Sequence, residues 1–242
     1  MFAVRCENVS KIYKNVTALK DCNLQVSDGE LFGLLGVNGA GKTTLIKILC
    51  GLTPPTSGNA FVFDKSVKTD INAIKKIVDV SPQETSVAGK LTVEENLKFF
   101  AEIYYADKAE RARAVERVVE TFSLGEVLSR RAKTLSGGWQ RRLSIAVALI
   151  SQPKVLFLDE PTLGLDVLAR RELWQVIKSI KGKTTIILTS HYLEEIEALC
   201  DRVAILSSGK LLASGTAEEI KNTYGKQSFE DAFVAAVTGE RV

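Results

Sequence analysis

Gly36-Val37-Asn38-Gly39-Ala40-Gly41-Lys42-Thr43 fits the pattern G-x-x-x-x-G-K-S/T, which demands a strand, a tight turn and a helix in that order. The apolar run Leu31-Phe32-Gly33-Leu34-Leu35 predicts the buried strand that enters the turn. Thr44-Leu45-Ile46-Lys47-Ile48-Leu49-Cys50 predicts the helix that leaves it, with Gly51 as its stop signal. Such a turn suits a triphosphate, because its backbone N–H groups converge on concentrated negative charge and the helix N-terminus adds a partial positive end. Asn38, Gly39, Ala40, Gly41, Lys42, Thr43 and Thr44 are therefore the expected nucleotide contacts. Lys42 would reach the β- and γ-phosphates, and the Thr43 hydroxyl would coordinate Mg²⁺. Nucleotide binding is the first expectation.

A chain of 242 residues suits one large α/β domain or a domain carrying a sub-domain. Short strands are expected at 2–9, 24–26, 31–35 and 60–62, separated by the turn signals Ser27-Asp28-Gly29 and Thr56-Ser57-Gly58. After Ser81-Pro82-Gln83 the pattern turns helical, from residue 92 to 150. Thr92-Val93-Glu94-Glu95 opens one helix with a capping box. A second, charged on its outer face, covers 108–122. Strands return at 155–158, 185–188 and 203–206, alternating with helices at 168–180 and 192–199. This alternation implies a parallel sheet covered by helices. The expected organisation is one domain over 1–215, with an α/β core at 1–83 and 152–215 and a helical insertion at 84–151. A tail of one or two helices follows at 216–242.

Charge is nearly balanced, 32 basic against 29 acidic residues, so no nucleic-acid partner is expected. Cys6, Cys22, Cys50 and Cys200 are scattered without metal spacing, which fits reduced thiols in a cytosolic compartment. The start at Met1-Phe2-Ala3-Val4-Arg5 lacks the layout of a secretion signal. No apolar run approaches the ~20 residues that span a bilayer.

Two further segments carry chemistry. Val155-Leu156-Phe157-Leu158-Asp159-Glu160 is an apolar strand ending in two carboxylates: Asp159 is the expected Mg²⁺ ligand and Glu160 the general base for an attacking water. His191, the sole histidine, follows the strand Thr185-Ile186-Ile187-Leu188, at the carboxyl end of a parallel strand, where open α/β sheets bind ligands. A neutral imidazole there could hydrogen-bond the γ-phosphate. Leu135-Ser136-Gly137-Gly138 precedes a helix whose Leu143, Ala146, Val147 and Ile150 share one face, so a buried amphipathic helix is expected. Its N-terminus is either a second anion site or an ordinary helix start capped by Ser136.

In order, these segments resemble the nucleotide-binding subunit of an ABC transporter over roughly residues 2–215. Leu135-Ser136-Gly137-Gly138 is similar to that family's signature, Tyr13 to its adenine-stacking aromatic, and Gln83 to its Q-loop glutamine. Gly164-Leu165-Asp166 is similar to the D-loop and His191 to the switch histidine. The resemblance implies a P-loop NTPase (RecA-like) core with an N-terminal antiparallel β sub-domain and an inserted α-helical sub-domain. It implies ATP and Mg²⁺ as ligands, the latter held by Thr43, Gln83 and Asp159. Catalysis would rest on Glu160, His191, Lys42 and Gln83. A second ATP-binding subunit, identical or a paralogue, would pack head to tail, so that Ser136 and Gly138 grip the partner's γ-phosphate, and Asp166 is expected among the nucleotide contacts. Transmembrane permease subunits would hold the protein at the cytoplasmic face of a membrane. Two positions depart from the family pattern: Val37 stands in place of proline and Trp139 in place of glutamine. Segments such as Leu91-Thr92-Val93-Glu94-Glu95-Asn96-Leu97 and Ser228-Phe229-Glu230-Asp231-Ala232-Phe233 resemble the ABC-2 exporters, so export is expected. The alternatives are an ABC ATPase driving an assembly step on a soluble partner, or a regulatory protein that binds ATP without hydrolysing it.

Overall fold

Strand alternation sorts the apolar side chains of this chain onto two sheets and three covered faces. A computed structural model describes residues 1–240. The chain opens on a hairpin of β1 (Phe2–Tyr13) and β2 (Val16–Ser27). β3 (Leu31–Gly36) leads into α1 (Lys42–Leu49). β4 (Ser57–Val62) returns to pair with β1, and β5 (Lys65–Ser66) extends that edge. The short α2 (Ile71–Ile74) precedes β6 (Val78–Ser81). Then come α3 (Val93–Tyr104), α4 (Lys108–Thr121) and α5 (Gly137–Leu149). β7 (Val155–Asp159), α6 (Val167–Ile180), β8 (Thr185–Thr189), α7 (Leu193–Leu199) and β9 (Arg202–Ser207) alternate. β10 (Lys210–Gly215), α8 (Ala217–Thr223) and α9 (Phe229–Thr238) close the described chain.

The first sheet is antiparallel, in the order β2-β1-β4-β5. The second runs β10-β9-β3-β8-β7-β6 and is parallel except for β10. Side chains of a strand point to alternate faces, and a parallel sheet is covered on both. Phe32, Leu34, Phe157 and Ile187 accordingly pack with α1 and the antiparallel sheet. Leu31, Leu35, Leu156, Leu158, Ile186 and Leu188 pack with α5, α6 and α7 on the other side.

Three local features differ from the sequence expectation. Residues 92–150 are not continuously helical: between α4 and α5 lie turns and short 3₁₀ segments at Gly125–Val127 and Ala132–Thr134. That stretch folds back over the start of α3, where the Val93 and Glu94 N–H groups donate to the carbonyls of Arg130 and Leu128, both at 3.0 Å. A helix start leaves its first N–H groups without internal partners, and this return supplies them alongside the Thr92–Glu95 capping box. Second, α5 is buried as expected, but around its whole circumference from residue 143 to 149, so it is a central core helix and not one with a single buried face. Third, β6 and β10 were not expected. β6 is short and interrupted by Asp79, and β10 is an edge strand with alternating exposure.

Candidate nucleotide-binding site

The parallel strands align their carboxyl ends, and that alignment gathers the site. β7 and β8 place Asp159 opposite Thr189, and β6 places Ser81 opposite Leu158. β3 ends at Gly36 on the same edge. The loops leaving these strands carry the phosphate-binding turn, Gln83, Glu160 and His191.

The turn needs its glycines. Gly41 has φ +107°, and a Cβ there would meet the Ala18 carbonyl oxygen at 2.6 Å; at Gly36 it would meet that of Leu206 at 2.5 Å. No side chain caps Gly41 at the start of α1, so the first-turn N–H groups are left for a ligand. Lys42 is buried, and its Nζ donates to the carbonyls of Gly36 at 2.6 Å and Val37 at 3.4 Å. Burial lowers its pKa, opposed by the charges of Glu160 and Asp159. The amine is thus held inside the turn, next to the two carboxylates.

Asp159 accepts a 2.6 Å hydrogen bond from Thr189 Oγ1. The Glu160 N–H donates to the carbonyl and hydroxyl of the same threonine, at 3.2 and 3.0 Å. Glu160 itself has φ +49°. A non-glycine residue in that region is uncommon and stores about 1–3 kcal/mol of strain. Its Oε1 lies 2.5 Å from His191 Nε2. A cavity of about 370 Å³ is lined by Val16, Thr17 and Ala18 at the start of β2, by Asn38 through Thr44, and by Gln83 and Glu160.

Tyr13 stands just outside that lining, exposed at the end of β1 with the Lys11 ammonium 4.9 Å from its ring centre. Ser136, Gly138 and Asp166 do not line the cavity either. Ser136 occupies the N-cap of α5, exposed, with its side chain making no capping bond. Gly138 lies against α6, where an added Cβ would sit 3.1 Å from that of Ala169. Asp166 caps α6, its Oδ1 accepting from the Leu168 and Ala169 N–H groups at 2.9 Å. At the start of α6, whose Ala169 abuts Gly138, the apolar side chains of Leu163, Val167 and Leu168 are exposed. Trp139 packs on the core under the Arg142 guanidinium, 4.8 Å from its ring centre, and Arg142 pairs with Glu172 at 2.6 Å.

Sequence reasoning missed Thr189, Arg141 and the 16–18 segment. Thr189 orients both acids, and its strand-end position next to His191 was the available signal. Arg141 donates to the carbonyls of Pro82 and Gln83, a role for which sequence offers no signal. Behind the site, the fully buried Glu195 accepts from Thr162 Oγ1 at 3.0 Å and Trp174 Nε1 at 2.9 Å. That carboxylate ties the turn after Glu160 to α6 and α7.

Among the described residues no three His, Cys, Asp or Glu side chains cluster as a metal cage. Mg²⁺ is ordinarily held through one or two carboxylates plus substrate phosphates, and Thr43, Gln83 and Asp159 are donors of that hard, sparse kind.

A family model described as ABC transporter matches residues 19–163. ABC transporter A family member 8 of Dictyostelium discoideum is 42% identical over 213 residues, which cover 88% of this chain and 25% of that protein. The phospholipid-transporting ATPase ABCA3 of Homo sapiens is 37% identical over 226 residues, covering 92% and 13%. The chain spans about a quarter or less of the length of these relatives. The solved structure of an ATP-binding subunit of an ABC transporter superposes with a TM-score of 0.84 at 29% identity, covering 97% of this chain and 99% of that one. The ATP-binding cassette MJ0796, dimeric in a post-hydrolysis state with ADP and Pi, superposes with a TM-score of 0.77 at 25% identity, covering 88% and 98%.

Proposed function

The chain belongs to the ABC transporter family, and from that premise we propose that it is an ATP-hydrolysing cassette working as a head-to-tail pair to drive transport. One observation carries the reading: the phosphate-binding turn, Gln83 and Glu160 converge on one cavity, with His191 Nε2 2.5 Å from the Glu160 carboxylate.

In this reading the N–H groups of residues 38–44 and the Lys42 ammonium bind the β- and γ-phosphates. Thr43, Gln83 and Asp159 hold Mg²⁺, which when bound neutralises charge on the phosphates. Glu160 accepts a proton from the attacking water as its oxygen bonds to the γ-phosphorus and the bond to ADP breaks. His191, through its contact with Glu160, fixes that carboxylate and lies where it senses the γ-phosphate. Tyr13, at the rim, stacks on the base.

The exposed Ser136 hydroxyl, the uncapped start of α5 and the bare apolar side chains beside it support a face covered by a second copy or paralogue. Ser136 and Gly138 then complete the partner's site. Among the described residues no helix is long and apolar enough to cross a bilayer, and in this reading a partner supplies the membrane-spanning segments. Exposed Phe99, Ile103 and Tyr104 on α3 offer an apolar surface, on the helix that also packs beside Pro82, for such a partner to dock from the cytoplasmic side. We favour export as the direction, since the segments at 91–97 and 228–233 resemble those of the ABC-2 exporters. The test is co-purification with a membrane partner and ATP-dependent transport in vesicles. A chain that hydrolyses ATP without associating with any membrane protein would favour the assembly-ATPase alternative.

A further inference from the structure

Arg141 is 5% exposed, early in α5, and its charge has no carboxylate partner within ion-pair distance among the described residues. A buried guanidinium is costly unless hydrogen bonds satisfy it. Its Nη1 donates to the Pro82 carbonyl at 2.7 Å and its Nη2 to the Gln83 carbonyl at 2.6 Å, with the Glu160 carbonyl 3.5 Å away. The fork is planar and rigid, so it fixes these acceptors relative to one another in a way a lysine would not. Further along the same helix, Ser144 Oγ meets Ser81 Oγ at 3.2 Å, a second tether to the end of β6. Burial lowers the Arg141 pKa, while the nearby charges of Asp159 and Glu160 oppose the shift.

The helix that starts at Ser136 and Gly138 is thereby fastened to the two turns that carry Gln83 and Glu160. We propose that Arg141 is a positioning residue coupling the start of α5 to the Gln83 and Glu160 turns of its own subunit. It makes a nucleotide gripped by α5 felt at the subunit's own base. This rests on the composite site proposed above. Through Arg141 the two nucleotides of a pair become mechanically linked, since each α5 touches one site and braces the other.

Two variants test this in the full chain. Arg141→Gln is neutral and keeps donors for one carbonyl; Arg141→Lys keeps the charge without the fork and serves if the first fails to fold. In both, amide hydrogen exchange in the nucleotide-free chain should quicken about tenfold across residues 82–88 and 160–165 and stay unchanged across 36–43. ATP affinity should stay within about twofold while kcat falls about tenfold or more, with KM little altered. Combined with Gln83→Ala, the loss in kcat should fall short of the product of the two single losses, as expected for residues that share part of their effect. Unchanged exchange in the Gln83 turn, or losses that multiply, would overturn the proposal. A wild-type chain that binds ATP but never hydrolyses it would instead remove the hydrolytic reading, and the exchange data would still decide the role of Arg141.

Discussion

Two glycine-rich helix starts, at α1 and at α5, share a chemistry and differ in their surroundings. The first is backed by a buried strand and enclosed with Lys42, Gln83 and Glu160 around a cavity. The second is exposed, with an idle Ser136 hydroxyl and apolar neighbours facing outward. An anion at α1 finds its ligands within one chain, whereas an anion at α5 would find almost nothing else there. The difference supports the proposal that the α5 start is half of a site whose other half belongs to another copy.

The sharpest way to break this comparison is to remove each half in turn. Lys42→Ala deletes the one buried ammonium of the self-sufficient half, so kcat/KM should fall more than about a hundredfold and ATP affinity with it, in steady-state kinetics and nucleotide titration. Glu160→Gln should lower kcat by about a hundredfold or more yet leave ATP affinity intact, with an ATP-dependent dimer seen by size-exclusion chromatography. Gly138→Asp places a like charge at the second half: the monomer's ATP affinity should hold within about twofold while turnover falls about tenfold or more. Mixing it with Lys42→Ala should then restore activity, because one site of each mixed pair regains an intact turn and an intact α5 start. No recovery on mixing would count against two-chain sites.

Smaller effects probe what holds the first half rigid. Gly41→Ala forces a side chain against the Ala18 carbonyl at a φ of +107°, and should cost about 1–3 kcal/mol in chemical denaturation as well as weakening ATP binding. Glu195→Gln is the mildest. Burial raises the Glu195 pKa in the folded chain, partly offset by hydrogen bonds including those from Trp174 and Thr162. A carboxyl bound to its proton more tightly when folded loses stability as pH rises through its unfolded value toward its folded one. Thermal melts should therefore move in favour of Glu195→Gln as pH rises from the ordinary carboxylate value toward neutrality. A shift in the opposite direction would mean the carboxylate is stabilised by its partners when charged.

Legibility from sequence followed the range of the signal. The phosphate-binding turn was readable because its glycines, lysine and flanking apolar runs are contiguous, and the capping box at Thr92 because it spans one turn. Asp159, Glu160 and His191 were readable as strand-end residues once a parallel sheet was inferred. β6 and β10 were not, since a short or edge strand carries little apolar pattern. The left-handed backbone of Glu160 has no glycine to announce it. Arg141 was invisible because its acceptors are backbone carbonyls far away along the chain, and any residue type carries those. The full burial of α5 depends on the helices and sheet around it, which its own periodicity does not contain.

The most direct test of the composite site is a structure of the Glu160→Gln chain with ATP and Mg²⁺. The account predicts Ser136 Oγ within about 3 Å of a γ-phosphate oxygen on the triphosphate held by the other copy's Lys42 turn. A triphosphate bound at that turn with Ser136 of either copy far from it would contradict the account.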